Sequence, residues 1–223
     1  MRIRLLAAAL LAALVLPLRA AAAGDILFFG DSLTAGYGLD DADRDAYPAL
    51  VQRKLAAAHL PWTVVNAGLS GDTTSGGLRR LDWALRRRPD VFVLELGAND
   101  GLRGIPTEVT ASNLEAIIKR VRARCPGVLV VLAGMKMPPS LGTDFTGAFA
   151  RIFPEVAAAE HVPLIPFLLE GVGGVPALNQ PDGIHPTAAG HAILAENVWK
   201  VLRPLLEARA RPENPSTAAR ASG

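Results

Sequence analysis

Ile26-Leu27-Phe28-Phe29-Gly30 is an unbroken apolar run closed by glycine. Val91-Phe92-Val93-Leu94-Glu95-Leu96 and Val128-Leu129-Val130-Val131-Leu132-Ala133 repeat the pattern further along the chain. A strand with one wet face alternates apolar and polar residues, so runs that are apolar almost throughout belong to strands covered on both sides. Two shorter runs, Thr63–Ala67 and Pro163–Pro166, complete a set of five. Helix-length segments separate them at Tyr47–Ala58, Thr74–Arg87, Thr107–Arg124 and Asp144–Glu160, and Thr187–Glu207 closes the series. Strand and helix in alternation predict βαβ units, hence an α/β domain with a parallel sheet between helices. Thr107 before Glu108, and Thr187 after Pro186, are expected helix starts. Pro154 should kink or split the fourth helix. The sequence contains no internal repeat.

Composition sets limits on partners. The chain has 223 residues, half of them hydrophobic and 20% charged, which suits one globular domain. Aromatics are only 5% and alanine is abundant, which predicts an aliphatic core. Residues 1–23 read as a secretory signal: Arg2 and Arg4, an apolar run from Leu5 to Leu16, then small residues to Ala23. That run is shorter than the roughly 20 apolar residues that span a bilayer, so no lasting membrane anchor is expected. The segment carries three arginines and no acid. Of 23 basic and 21 acidic residues, 20 and 21 then remain, and the formal charge passes from +2 to −1. The basicity belongs to targeting and gives no support to nucleic-acid binding. The expected organisation is a signal over 1–23, a catalytic domain over 24–207 and a flexible tail over 208–223. The expected product is a periplasmic or secreted monomer.

The lone Cys125 excludes an internal disulfide and reads as a free thiol in a turn. Neither His-Glu-x-x-His nor paired-Cys spacing occurs, so no metal site is expected.

Ligands of open parallel sheets bind beyond the carboxyl ends of the strands. Four polar, glycine-containing clusters fall there: Gly30-Asp31-Ser32, Ser70-Gly71-Asp72, Gly97-Ala98-Asn99-Asp100 and Pro181-Asp182-Gly183-Ile184-His185. Acyl transfer by a serine needs a base, a group that orients the base, and donors for the oxyanion. Ser32 at a strand-to-loop turn suits the nucleophile, though Gly-Asp-Ser-Leu is equally the sequence of a plain turn. The spacing of Asp182 and His185 can bring a carboxylate to the imidazole Nδ1–H and leave Nε2 for the serine, or can be a structural turn beside a surface histidine. Asn99 could donate its amide to an oxyanion beside the N–H groups of Ser32 and Gly71. His59, His161 and His191 have no aspartate at comparable spacing.

The order Gly-Asp-Ser-Leu, Gly, Gly-x-Asn-Asp, Asp-x-x-His resembles the SGNH (GDSL) hydrolase family, from Asp25 to about Leu206. The stretches Phe29–Gly38, Val65–Gly68, Ser70–Thr73, Glu95–Gly104 and Asp182–Pro186 look closest to its periplasmic thioesterase I/protease I/lysophospholipase L1/arylesterase branch. The resemblance implies a three-layer α/β/α, flavodoxin-like domain with a five-stranded parallel sheet. It implies Ser32 as nucleophile and first oxyanion donor, Gly71 and Asn99 as further donors, and Asp182 with His185 completing the triad. Hydrolysis of acyl esters and thioesters without a cofactor follows from it. Leu102, Ile105, Met135 and Met137 are candidates for an apolar acyl wall. After Met135-Lys136-Met137-Pro138-Pro139 the chain reads Ser140-Leu141-Gly142, where relatives often carry Asn-Tyr-Gly. This change should alter the pocket loop. The Gly-x-Ser-x-Gly elbow of the α/β-hydrolases is absent. Two other readings stay open: a sugar O-deacetylase of the same family, and a lipid- or glycan-binding protein without catalysis.

Overall fold

The computed structural model describes residues 24–210. Its elements are β1 (Gly24–Gly30), α1 (Ser32–Ala35), α2 (Ala42–Asp45), α3 (Tyr47–Ala57), β2 (Trp62–Asn66), α4 (Thr74–Ala84) and β3 (Val91–Glu95). They continue as α5 (Ala98–Leu102), α6 (Thr107–Arg124), β4 (Leu129–Ala133), α7 (Thr143–Ala159), β5 (Leu164–Ile165) and α8 (Ala188–Ala210). All five strands pair in parallel, in the order β2-β1-β3-β4-β5. That is the flavodoxin-like order, whose direction reverses between β1 and β3 and opens a crevice at their carboxyl ends. Helices α3 and α8 pack together, as do α4, α6 and α7, giving helix layers around the sheet.

β1 and β3 are central strands, and every residue of β3 is buried. This explains why the sequence runs apolar there without alternation. The edge strand β2 is covered differently. Gln52 of α3 donates its Nε2–H to the Trp62 carbonyl (3.1 Å) and accepts the Val64 N–H at Oε1 (2.7 Å). An amide side chain thus takes the place of a sixth strand and blunts an edge that would otherwise recruit one.

Several expectations need correction or refinement. The core is aliphatic in the main, as expected, but it also takes in five of the seven phenylalanines, at 28, 29, 92, 149 and 153, each at most 1% exposed. Pro154 does not split α7, which runs unbroken through it. Pro154 lies on the exposed face while Phe149, Ile152, Phe153 and Val156 hold the other face inward, so the backbone acceptor deprived of its donor is on the wetter side. α6 does start at Thr107, although Pro106 stands at the cap position and no side chain caps that end. Thr187 does cap α8, its Oγ1 accepting the Gly190 N–H at 3.3 Å. Cys125 is a free thiol as expected; it is buried, and burial pushes it up from the ordinary range. The expected signal at 1–23 and most of the expected tail lie outside the described residues.

Candidate active site

Asp31 follows β1 and caps α1, its Oδ1 accepting the Leu33 N–H at 3.0 Å. Ser32 therefore starts a one-turn helix rather than a loop. The base comes from the segment between β5 and α8. There Asn179 bridges Pro186, the Gln180 N–H donates to the His185 carbonyl (2.7 Å), and the Thr187 N–H donates to that of Leu178 (2.9 Å). Within this closed turn Asp182 Oδ1 accepts the N–H groups of Ile184 and His185, both at 3.0 Å. Asp182 Oδ2 lies 2.7 Å from His185 Nδ1, and His185 Nε2 lies 2.9 Å from Ser32 Oγ. The backbone N–H and the ring of His185 hold the Asp182 carboxyl down to about 2. It is an anion at neutral pH, which places the proton on Nδ1 and leaves Nε2 as acceptor for the serine hydroxyl. The Tyr37 ring, with its centroid 4.6 Å from that of His185, covers the imidazole.

Across the crevice, Gly71 has φ +77°, a conformation that a side chain would strain. Among the described residues, neither its N–H nor that of Ser32 donates to a protein acceptor. Asn99, in the first turn of α5, points its amide into the same region, donating to Asp31 Oδ2 (3.1 Å) and to the Asp72 carbonyl (2.9 Å). Both amide hydrogens are engaged at rest.

Arg80 fixes the loop that carries Gly71, and sequence reading did not single it out. Its guanidinium donates to Asp72 Oδ2 (2.6 Å) and to the carbonyls of Ala67 and Gly30 (both 2.9 Å). It lies 3.8 Å from the centroid of the Phe29 ring. Asp100, buried beside Asn99, accepts the Thr74 N–H at 2.8 Å and so joins the two oxyanion-side loops. Asp31 and Glu95 were also missed. Both carboxyl groups are completely buried behind the serine.

Ser32, Gly71, Asn99 and His185 border one cavity of about 690 Å³. Leu102, Met135 and Met137 line it, together with Phe167, Leu169 and Ile184. Ile105 does not line it; this residue is half-buried in the turn between α5 and α6. Of the departing loop, Pro138 and Pro139 form part of the wall, while Leu141 is exposed outside it. His191 does not line this cavity and is buried in α8. A nucleophile, an oriented base, backbone donors and an apolar trough can together perform acyl transfer.

The sequence profile of the GDSL-like Lipase/Acylhydrolase family matches residues 28–193. The chain is 46% identical over 195 residues to Esterase TesA of Pseudomonas aeruginosa, covering 87% of this chain and 95% of that protein. It is 39% identical over 193 residues to Thioesterase 1/protease 1/lysophospholipase L1 of Escherichia coli K12, covering 86% and 89% of the two chains. The fold matches the crystal structure of TesA with a TM-score of 0.77 at 44% identity, over 81% of this chain and 99% of that one.

Proposed function

Because this chain belongs to the GDSL-like lipase/acylhydrolase family, we propose that it hydrolyses carboxylic esters and thioesters through an acyl-enzyme on Ser32. One observation carries this reading. The bonds from Asp182 to His185 (2.7 Å) and from His185 to Ser32 (2.9 Å) end at the mouth of an apolar cavity.

In the proposed sequence, Ser32 Oγ attacks the carbonyl carbon as its proton passes to His185 Nε2. The N–H groups of Ser32 and Gly71 and the Asn99 amide receive the negative oxygen. His185 then gives the proton to the departing alcohol, phenol or thiol, and the acyl group stays on Ser32. Water enters, loses a proton to His185 and attacks the acyl carbon. The acid leaves with its acyl–oxygen bond to Ser32 broken and the hydroxyl restored. Asp182 stays ionised throughout, orienting the ring and stabilising the imidazolium.

Leu102, Met135 and Met137 would hold the acyl chain. That apolar wall favours acyl esters over acetylated sugars, whose rings call for polar contacts. Purified protein should turn over aryl esters, acyl-CoAs and lysophospholipids, with rates rising as the acyl chain grows until the cavity is filled. Turnover confined to acetylated sugars, or absent for every ester, would overturn the reading.

Export belongs to the same proposal and rests on the signal pattern of residues 1–23. No helix among the described residues is long and apolar enough to cross a membrane. N-terminal sequencing of protein from the extracytoplasmic fraction should find residue 24 or a near neighbour first. The catalytic domain is proposed to act as a monomer, which light scattering tests.

A further inference from the structure

Two carboxyl groups lie buried behind the nucleophile with no cation between them. Glu95 ends β3, and its Oε2 accepts the Asp31 N–H (3.2 Å) and the Thr34 hydroxyl (2.7 Å). The Thr34 oxygen lies 2.7 Å from the Tyr47 hydroxyl, which must be the donor there because the Thr34 proton goes to Glu95. A β-carbon on Gly30 would come within 2.4 Å of Glu95 Oε2 and 2.1 Å of Thr34 Oγ1, so the strand is bare at the point where this network passes. The other oxygen, Oε1, is buried and accepts from no donor, the setting of a hydroxyl rather than of a charged atom. The Asp31 carboxyl faces that of Glu95. Two ionised carboxylates offer only acceptors, so one group of the pair must keep its proton.

The proton belongs to Glu95. Among the described residues its side chain accepts only from the Asp31 backbone N–H and the Thr34 hydroxyl. Asp31 by contrast accepts from the Leu33 N–H (3.0 Å) and the Asn99 amide (3.1 Å). Burial first, and then the facing charge of Asp31, push Glu95 well above the ordinary carboxyl range, while burial raises Asp31 only to about 6.

We propose that Glu95 is a positioning residue for the reaction: as the neutral acid it donates to Asp31 and so sets how firmly Asp31 holds the Asn99 amide. An Asp31 without that donor would turn its full charge on the Leu33 N–H and the Asn99 amide, and retain the amide that has to turn toward the oxyanion. The proposal rests on the assignment of Asn99 to the oxyanion hole.

Four measurements test it. Glu95→Gln keeps a neutral side chain with donor and acceptor, so kcat should stay within about fivefold of wild type, the scale of one neutral hydrogen bond. Glu95→Met should lower kcat about tenfold or more with KM unchanged, as expected for a misplaced reactive group. In an Asn99→Ala background the same Glu95→Met change should cost less than about twofold, because its effect passes through Asn99. The infrared spectrum of the wild type at pH 8 should contain a protonated-carboxyl band that Glu95→Gln removes.

An equal loss from Glu95→Met in both backgrounds would reduce Glu95 to a structural role and overturn the proposal. So would a Glu95→Gln enzyme as slow as Glu95→Met, or a wild type without the infrared band. If Glu95→Met does not fold, the Gln variant and the band decide. Failure of the wild type to cleave any ester would instead sink the Ser32 mechanism, leaving the band to report on the proton alone.

Discussion

The Nδ1 of His191 accepts the Tyr47 backbone N–H at 3.2 Å, which commits this buried ring to its neutral form. Burial lowers its proton affinity to about 4. The unfolded chain takes up a proton near the ordinary value of ~6.5, whereas the folded chain does so only near 4. Between these values the unfolded state holds more protons, so stability falls as pH drops from 6.5 toward 4, by up to about 3 kcal/mol. His191→Asn keeps an acceptor at the Nδ1 position and removes the titration. Urea unfolding at pH 7.5 and 4.5 should give the variant a smaller difference than wild type, with esterase activity at pH 7.5 retained. An unchanged difference would remove His191 as the cause.

Ser32→Ala should lower kcat by at least about 10⁴-fold, the usual loss for a triad member. The fold should persist, since among the described residues the only hydrogen-bond partner of Ser32 Oγ is His185 Nε2. His185→Ala should be equally inactive. Calorimetry beside single-turnover kinetics checks both. Retention of most activity in either variant would require another nucleophile or base.

Asn99→Ala should reduce kcat about 10²–10³-fold with little change in KM, as for loss of one oxyanion donor. Because the amide also bridges Asp31 and the Asp72 carbonyl, some loss of melting temperature should accompany it. A large thermal loss with nearly normal kcat would assign Asn99 to structure alone.

Arg80→Met keeps an unbranched stem over Phe29 but leaves Asp72 and two carbonyls without their donor. Both partners of the ion pair are largely buried, so about 3 kcal/mol of stability should be lost. The Gly71 loop should loosen and kcat fall. Arg80→Lys should not restore either property, because an ammonium lacks the planar fork that serves all three acceptors. Urea titration and kinetics on the two variants provide the check, and full rescue by lysine would refute the three-way clamp.

The α/β architecture was legible because β1, β3 and β4 are apolar at almost every position, a pattern that only two-sided burial explains. Ser32, Gly71, Asn99, Asp182 and His185 were legible as candidates because their residue types fall in glycine-containing clusters just beyond strand ends. Arg80 was not. On a helix it reads as one more solvated arginine, and its acceptors are set 8, 13 and 50 residues away. Glu95 was hidden by its apolar neighbours, and its meaning depends on Asp31, 64 residues distant. The burial of most phenylalanines within a mainly aliphatic core escaped a reading of average composition, which counts residues without placing them. Ile105 was misplaced because a wall residue and a turn residue share the same apolar chemistry.

Ser32 and the base that activates it stand 153 residues apart, joined by a single contact between Nε2 and Oγ. A ribosome finishes the nucleophile long before it reaches the histidine. Until the turn around Gln180 has closed, the growing chain carries an ordinary serine alcohol and has no means of attacking an ester. The hydrolase is thus born latent, and its first turnover has to wait for that turn.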